Sequence, residues 1–493
     1  MGYQHLPIFT LLMSTEVISA KLKDIITFSL EAHMKYASLN GHKIVILGFG
    51  SIGPAVLPLI LRHIDINRKK IEVISANDSK QNLAEKLGIV FTCFKLTKAN
   101  YQAFLKKRLN KGDVLLNLSY SISSFDLICF CSQQQALYLD TSIDNWISGY
   151  LTYDIRTELI QKKHLFENGP TALVSHGANP GLISHFAKQA VLDVSKKTLN
   201  NALIKKLREE NCWGELAEAA GIVSLHVSEK DTQRSASYRK NEYANTWSID
   251  AFLDEVYENV MIAWGSHEID LQKQVVDKSE VRNNSRVVKL TKRASEVKIK
   301  SLVPSSGSFH GFLVPHTEVF SLAELFLKKY KNFTYQPSIY FAYQPCPDAT
   351  FSIRDSATQK RSTPKQKRLL FDDIIEGHDE FGILIFRKGS PDIYWFGSCL
   401  DIHEARHLAP NNNATSLQVS AGILAGLIWI IENPELGLIE PEEVNFERAL
   451  EVAIPYLGKL GGHWAKWPDT SNLLLEQHAS HTWQFSEFLV APL

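Results

Sequence analysis

The 493-residue chain is poor in the features that mark disulfide scaffolds, structural zinc folds and highly charged binding proteins. It has only six cysteines (Cys93, Cys129, Cys131, Cys212, Cys346, Cys399), none in CxxC spacing, which argues against a disulfide framework and a zinc ribbon and leads us to expect a reducing, cytoplasmic setting with no metal. Net charge is absent too. Lys plus Arg and Asp plus Glu are 53 each, so no global field draws the protein to nucleic acid or an anionic membrane, and charge selectivity must be local. Long apolar runs are scarce. Leu6–Met13 near the N-terminus lacks the basic flank of a signal peptide, so residues 1–42 read as an extension, and nothing later has the length expected of a membrane span.

What is present is ordinary globular composition, 45% hydrophobic and 22% charged, on a chain too long for one core. From Lys43 to about Ser175, short β-branched runs alternate with longer periodic ones. Ile44–Leu47, Ile71–Ile74, Val90–Phe94, Val114–Asn117, Ala136–Leu139 and Ala172–Ser175 are the predicted strands of a doubly wound α/β, Rossmann-type parallel sheet. Residues 43–178 are thus expected to form a nucleotide-binding domain. Residues 179–493 are expected to form a second, mixed α+β substrate and dimerisation domain, with helical text to about Ala220, strand text at Ile222–Val227, Phe381–Phe386 and Ile393–Phe396, and a C-terminal segment packing back on the first. The basic stretches Val281–Lys300 and Gln359–Arg368 read as solvated loops or edge strands because no aromatic stackers are interleaved. The apolar helix predicted over Ala421–Ile431 suits packing across a sheet or into a subunit interface.

Gly48-Phe49-Gly50-Ser51-Ile52-Gly53 follows a predicted strand and precedes a predicted helix over Pro54–Ile64, the context in which GxGxxG binds a dinucleotide. Gly48 permits the turn, Gly50 lets backbone meet pyrophosphate, and Gly53 allows close helix packing. The second strand ends at Ser75, where an acid usually grips the adenosine ribose, and Asp78 lies three residues on. No basic residue precedes Lys80 in that turn, so NAD is preferred over NADP. Asn117 and Ser119 at the end of the fourth strand would lie near the nicotinamide ribose.

Ser175-His176-Gly177-Ala178-Asn179-Pro180-Gly181 runs from a strand end into a turn that would place Asn179 at the carboxyl edge of the sheet, although read alone such a turn is as readily structural as functional. Farther on, Glu229 and Asp231 precede Trp247, which Asp250 and Glu255 follow. Taken by composition, this is a salt-bridged surface around one core Trp; taken chemically, carboxylates and an aromatic face are what a site handling alkylammonium and iminium groups needs.

The strings VILGFGSIG (45–53), NLS (117–119), YLDTS (138–142), GANPG (177–181), KDTQR (230–234), NTWS (245–248), FLVPHTE (312–318), DEFG (379–382), YWFGS (394–398) and NATSLQVSAG (413–422) occur in an order and spacing that resembles the bacterial homospermidine synthases, which are related in fold to saccharopine dehydrogenases. The resemblance runs from about Lys43 to the C-terminus. It implies a homodimer that oxidises putrescine with bound NAD, condenses the imine with a second putrescine, loses ammonia and reduces the Schiff base to homospermidine, returning the cofactor unchanged. It also implies a pocket of Asn179, Glu229, Trp247, Glu255, His316, Glu318 and Asp379, with Asp144 and Asp250 toward the entrance. In that pocket Trp247 faces the cation, Glu229 and Asp379 bind the distal ammonium or help remove the proton, and His316 is the candidate proton shuttle. Two departures stand out: Asp144 is an Asp where the family has Glu, and Ser75 replaces the ribose acid. The alternative, a saccharopine or carboxynorspermidine dehydrogenase type of Schiff-base reductase, would need basic residues to hold a substrate carboxylate, whereas acids predominate in these clusters.

Overall fold

The structure is a computed structural model that describes residues 34–39, 41–147, 151–269, 276–277, 286–358, 366–468 and 481–491. Most of the expected N-terminal extension therefore lies outside the described residues, as do parts of both basic stretches.

The first sheet is parallel throughout and has seven strands among the described residues. From one edge they are Leu438–Ile439, Ala172–Leu173, Leu137–Asp140, Val114–Asn117, Ile44–Leu47, Ile71–Ser75 and Val90–Cys93. The chain order reverses between Ile44–Leu47 and Val114–Asn117, which opens a crevice at the carboxyl ends of those two strands. Their unbroken apolar text reflects burial on both faces, the condition of a parallel sheet flanked by helices. The expected strand at Ala172–Ser175 stops at Leu173: Ser175 turns into the left-handed region (φ 55°), and its N–H donates to the Asp140 carboxylate at 2.7 Å.

The second sheet is mixed, with ten strands among the described residues. Its centre is Ile222–Asp231, paired in parallel with Ser338–Gln344 and antiparallel with His378–Arg387, which continues into Asp392–Asp401. The strands at 378 and 392 extend well beyond the expected Phe381–Phe386 and Ile393–Phe396, because the polar residues at their ends pair in the ladder as fully as the apolar ones. In the basic stretches, Val287–Arg293 and Lys298–Val303 are strands, and Gln366–Leu369 pairs with Glu242–Asn245. There Arg368 donates to Glu242 at 2.8 Å and also pairs with Asp373.

Helix Ala414–Glu432 links the two sheets. It packs against helix Ile52–His63 on one side and the 378–401 hairpin on the other. It is long and apolar enough to cross a membrane, with mean hydropathy 1.8, but 83% of that stretch is buried inside the fold. Asn413 caps it by accepting from Ser416 N at 2.7 Å. Close approach requires glycine here, since a Cβ on Gly422 would lie 2.0 Å from the Gly177 carbonyl oxygen. Helix Leu182–Thr198 makes a second link, setting Phe186 against Phe381 and Phe396 of the hairpin.

Candidate active site

A cavity of about 870 Å³ runs from the glycine loop of the first sheet to the carboxylate-bearing face of the second. At one end Gly48 adopts φ +92°, and a Cβ there would strike Leu118 O at 2.6 Å. A Cβ on Gly53 would strike Gly48 O at 2.7 Å. Gly50 differs: nothing lies within 4 Å of the position its Cβ would take, so its backbone faces open space at the mouth of helix Ile52–His63. An open backbone beside a helix N-terminus is the setting a pyrophosphate requires, so these residues fit a dinucleotide.

Gly48, Gly50, Ser51, Ile52 and Ser119 line the cavity, whereas Gly53 packs behind the loop. Asn117 is buried and does not line it. Its amide donates to Tyr138 Oη at 3.2 Å and its carbonyl accepts from Ser119 N at 3.1 Å, fixing the loop that does. Asp78 is exposed and outside the lining, while Ser75 and Lys80 lie within it.

At the other end, the parallel strand's alternation presents Glu229 and Asp231 on one face of Ile222–Asp231, and Asp379 sits directly across the ladder from Asp231. All three are buried. Asn179 Nδ2 donates to Glu229 Oε2, and Asp231 accepts from Gln233 N and Thr246 Oγ1, each at 2.8 Å. Asp379 accepts from Thr415 Oγ1 at 2.6 Å, and its other oxygen is buried with no hydrogen-bond partner. Burial dominates the electrostatics. It pushes Glu229 up to about 8 against the Asn179 hydrogen bond, Asp231 up to about 6, and Asp379 well above the carboxylate range, the last helped by its two acidic neighbours.

His316 precedes helix Thr317–Leu325, with Nδ1 on Glu318 Oε2 at 2.5 Å and Nε2 on Glu255 Oε1 at 3.3 Å. Burial would lower it, but the two carboxylates outweigh that and hold the ring protonated. Trp247, partly buried, donates from Nε1 to Tyr343 Oη at 3.2 Å. Toward the opening, Asp144 accepts from Ser121 N, and Asp250 pairs with Lys367.

The fold therefore gathers Asn179, Glu229, Trp247, Glu255, His316, Asp144 and Asp250 around one cavity, with Glu318 and Asp379 directly behind it. Sequence reading passed over several neighbours. Asp254 accepts from Tyr120 Oη; Glu258, on the cavity wall, accepts from Thr152 N at 3.1 Å and is raised to about 7 by burial; and Asp231 faces Asp379 across the ladder. The signal for Asp231 was present, because residues two apart on a strand share a face. Tyr120 gave none, as it arrives from a remote segment, and Thr415, although inside the 413–422 string, had nothing local to tie it to Asp379.

Residues 44–173 match the family of the saccharopine dehydrogenase NADP binding domain, and residues 177–465 match the saccharopine dehydrogenase C-terminal domain. The chain is 32% identical to the homospermidine synthase of Mesorhizobium japonicum, covering 92% of this chain and 97% of the relative. It is 34% identical to that of Blastochloris viridis, covering 92% and 98%. The chain belongs to the homospermidine synthase family. A solved homospermidine synthase from Legionella pneumophila in complex with NAD superposes with a TM-score of 0.83 at 36% identity, covering 92% of this chain and 98% of that one. Membership in the homospermidine synthases accounts for a glycine loop and a carboxylate-rich pocket sharing one cavity, since such an enzyme must redox-cycle a cationic amine in place.

Proposed function

We propose that this chain is an NAD-dependent homospermidine synthase that oxidises putrescine to an imine, transfers the aminobutyl group to a second putrescine with loss of ammonia, and reduces the Schiff base to homospermidine. The observation that carries this reading is the continuity of the cavity from Gly50 to the buried Glu229 and the partly buried Glu255 beside Trp247. Bound NAD supplies the hydride acceptor and returns the hydride at the end. The protein must then supply a dry, anionic setting and proton transfer at the amine. A carboxyl raised to about 8, as Glu229 is, exchanges a proton near neutral pH, and the Asn179 amide orients it. Asp379, buried behind Thr415 with a free oxygen, adds negative charge once a dication enters. Trp247 offers its ring face to the ammonium or iminium.

With both ring nitrogens held by carboxylates, His316 keeps Glu255 and Glu318 in place as a fixed imidazolium rather than acting as a free base. Asp144 and Asp254 make the mouth acidic, Asp250 being paired with Lys367, and this suits a polyamine rather than a carboxylate-bearing substrate. The family resemblance extends the reading to a cytoplasmic homodimer.

The test uses putrescine deuterated at the carbons bearing nitrogen, with catalytic NAD. Homospermidine carrying deuterium back from the cofactor, with no accumulating NADH, is the expected result. Stoichiometric NADH without a triamine would replace this reading with a simple amine dehydrogenase.

A further inference from the structure

The adenosine end of the cavity is built without the acid that excludes a second phosphate. In sites selective for NAD, a carboxylate at the end of the second strand binds the ribose hydroxyls and repels a 2′-phosphate; sites that take NADP place a basic side chain nearby. Here Ile71–Ser75 ends in a hydroxyl that lines the cavity, and the nearest acid in the turn, Asp78, is exposed and outside it. The turn folds on itself. Asn77 Oδ1 accepts from Ser79 N at 3.2 Å and Ser79 Oγ at 2.6 Å, and this brings Lys80 back toward the glycine loop. Lys80 Nζ donates to the Gly50 carbonyl and lies 5.6 Å from the Phe371 ring centre. Its ammonium thus bridges the two segments that flank the adenosine ribose in this fold, the strand-end turn and the glycine loop.

Lys80 has no carboxylate partner in its hydrogen bonds, in contrast to Lys367 on the same cavity wall, which Asp250 neutralises. Burial lowers Lys80, and an adjacent phosphate would act in the opposite direction by favouring its charged form. We propose that Ser75 and Lys80 form a 2′-phosphate site, so that the cavity takes NADP(H) alongside NAD(H). This inference rests on the dinucleotide reading above and goes beyond it.

The test is equilibrium binding of NADH and NADPH to the full chain without amine, followed by nicotinamide fluorescence. The two affinities are expected to agree within about tenfold, close to 1.4 kcal/mol. Lys80→Met should weaken NADPH by more than about tenfold while changing NADH little, and Ser75→Asp should do the same by repulsion. The proposal is overturned if NADH binds and NADPH is more than about a hundredfold weaker, or if Lys80→Met weakens both alike, which would assign the ammonium to the shared pyrophosphate. Should neither dinucleotide bind, the cofactor reading itself falls and takes this inference with it.

Discussion

Two residues in the cavity separate chemistry from packing. Trp247 carries a ring face worth on the order of 2 kcal/mol to a desolvated ammonium, while deleting a buried indole costs about 3–5 kcal/mol of stability. Loss of activity in Trp247→Ala therefore decides nothing alone. Across Phe, Leu and Ala variants, we expect Phe to keep part of the turnover despite losing the hydrogen bond to Tyr343, and Leu to abolish it with fold and NAD binding intact. Activity that instead follows melting temperature through the series would make Trp247 a packing residue. Gly50 gives the complementary case. Because its Cβ would meet open space, Gly50→Val should fold normally, checked by circular dichroism, yet lose NAD binding; unchanged affinity would mean that no ligand backbone passes there. Gly50 was legible in the sequence from its loop. The engagement of His316 by two carboxylates was not, since Glu318 is only two residues away in the chain but Glu255 lies 61 residues away.

At the scale of elements, helix Ala414–Glu432 transmits packing to the site. Gly422 touches the turn that bears Asn179, and its missing side chain is what admits the Gly177 carbonyl. Gly422→Ala should cost about 1–3 kcal/mol by overpacking and also depress turnover by displacing Asn179. Gly426→Ala should cost less, because its Cβ would meet first the Leu139 side chain, which can move, at 2.6 Å. Calorimetry of both variants with putrescine kinetics checks the order; an equal or larger loss at Gly426 would show that the turn yields. The helix itself was readable as an apolar run, whereas its partners were not, because it is buried on nearly every side and no single stripe marks one contact face.

For the whole molecule, the buried acids and histidines together set how stability responds to pH. Glu229 is raised from 4.5 to about 8, and Asp231 and Glu258 are raised in the same direction. At these acids the folded state then binds more protons than the unfolded chain. Their contribution is full below the unfolded values and is lost as pH rises through the folded ones; His176, His185 and His226, which burial keeps neutral, oppose this below the usual histidine value of 6.5, so the free enzyme should melt progressively lower from about pH 6.5 to about pH 8. Glu229→Gln should flatten that decline, and putrescine should protect most at the upper end, where the carboxylates that hold it are ionised. A melting temperature that rises over this interval in the free enzyme would contradict the burial of these acids.

The sequence by itself determined the parallel nucleotide-binding sheet, because strand periodicity and a glycine loop are local signals that need no partner. It also marked most of the pocket acids, through motifs whose spacing survives in the chain. Only the tertiary structure decided that Asp379 faces Asp231 across a ladder, that Thr415 from a helix 36 residues on satisfies one Asp379 oxygen and leaves the other free, and that Lys80 returns to Gly50. Register, burial and long-range contact fix the charge state of a carboxylate, and these are properties of packed surfaces that a linear pattern does not encode.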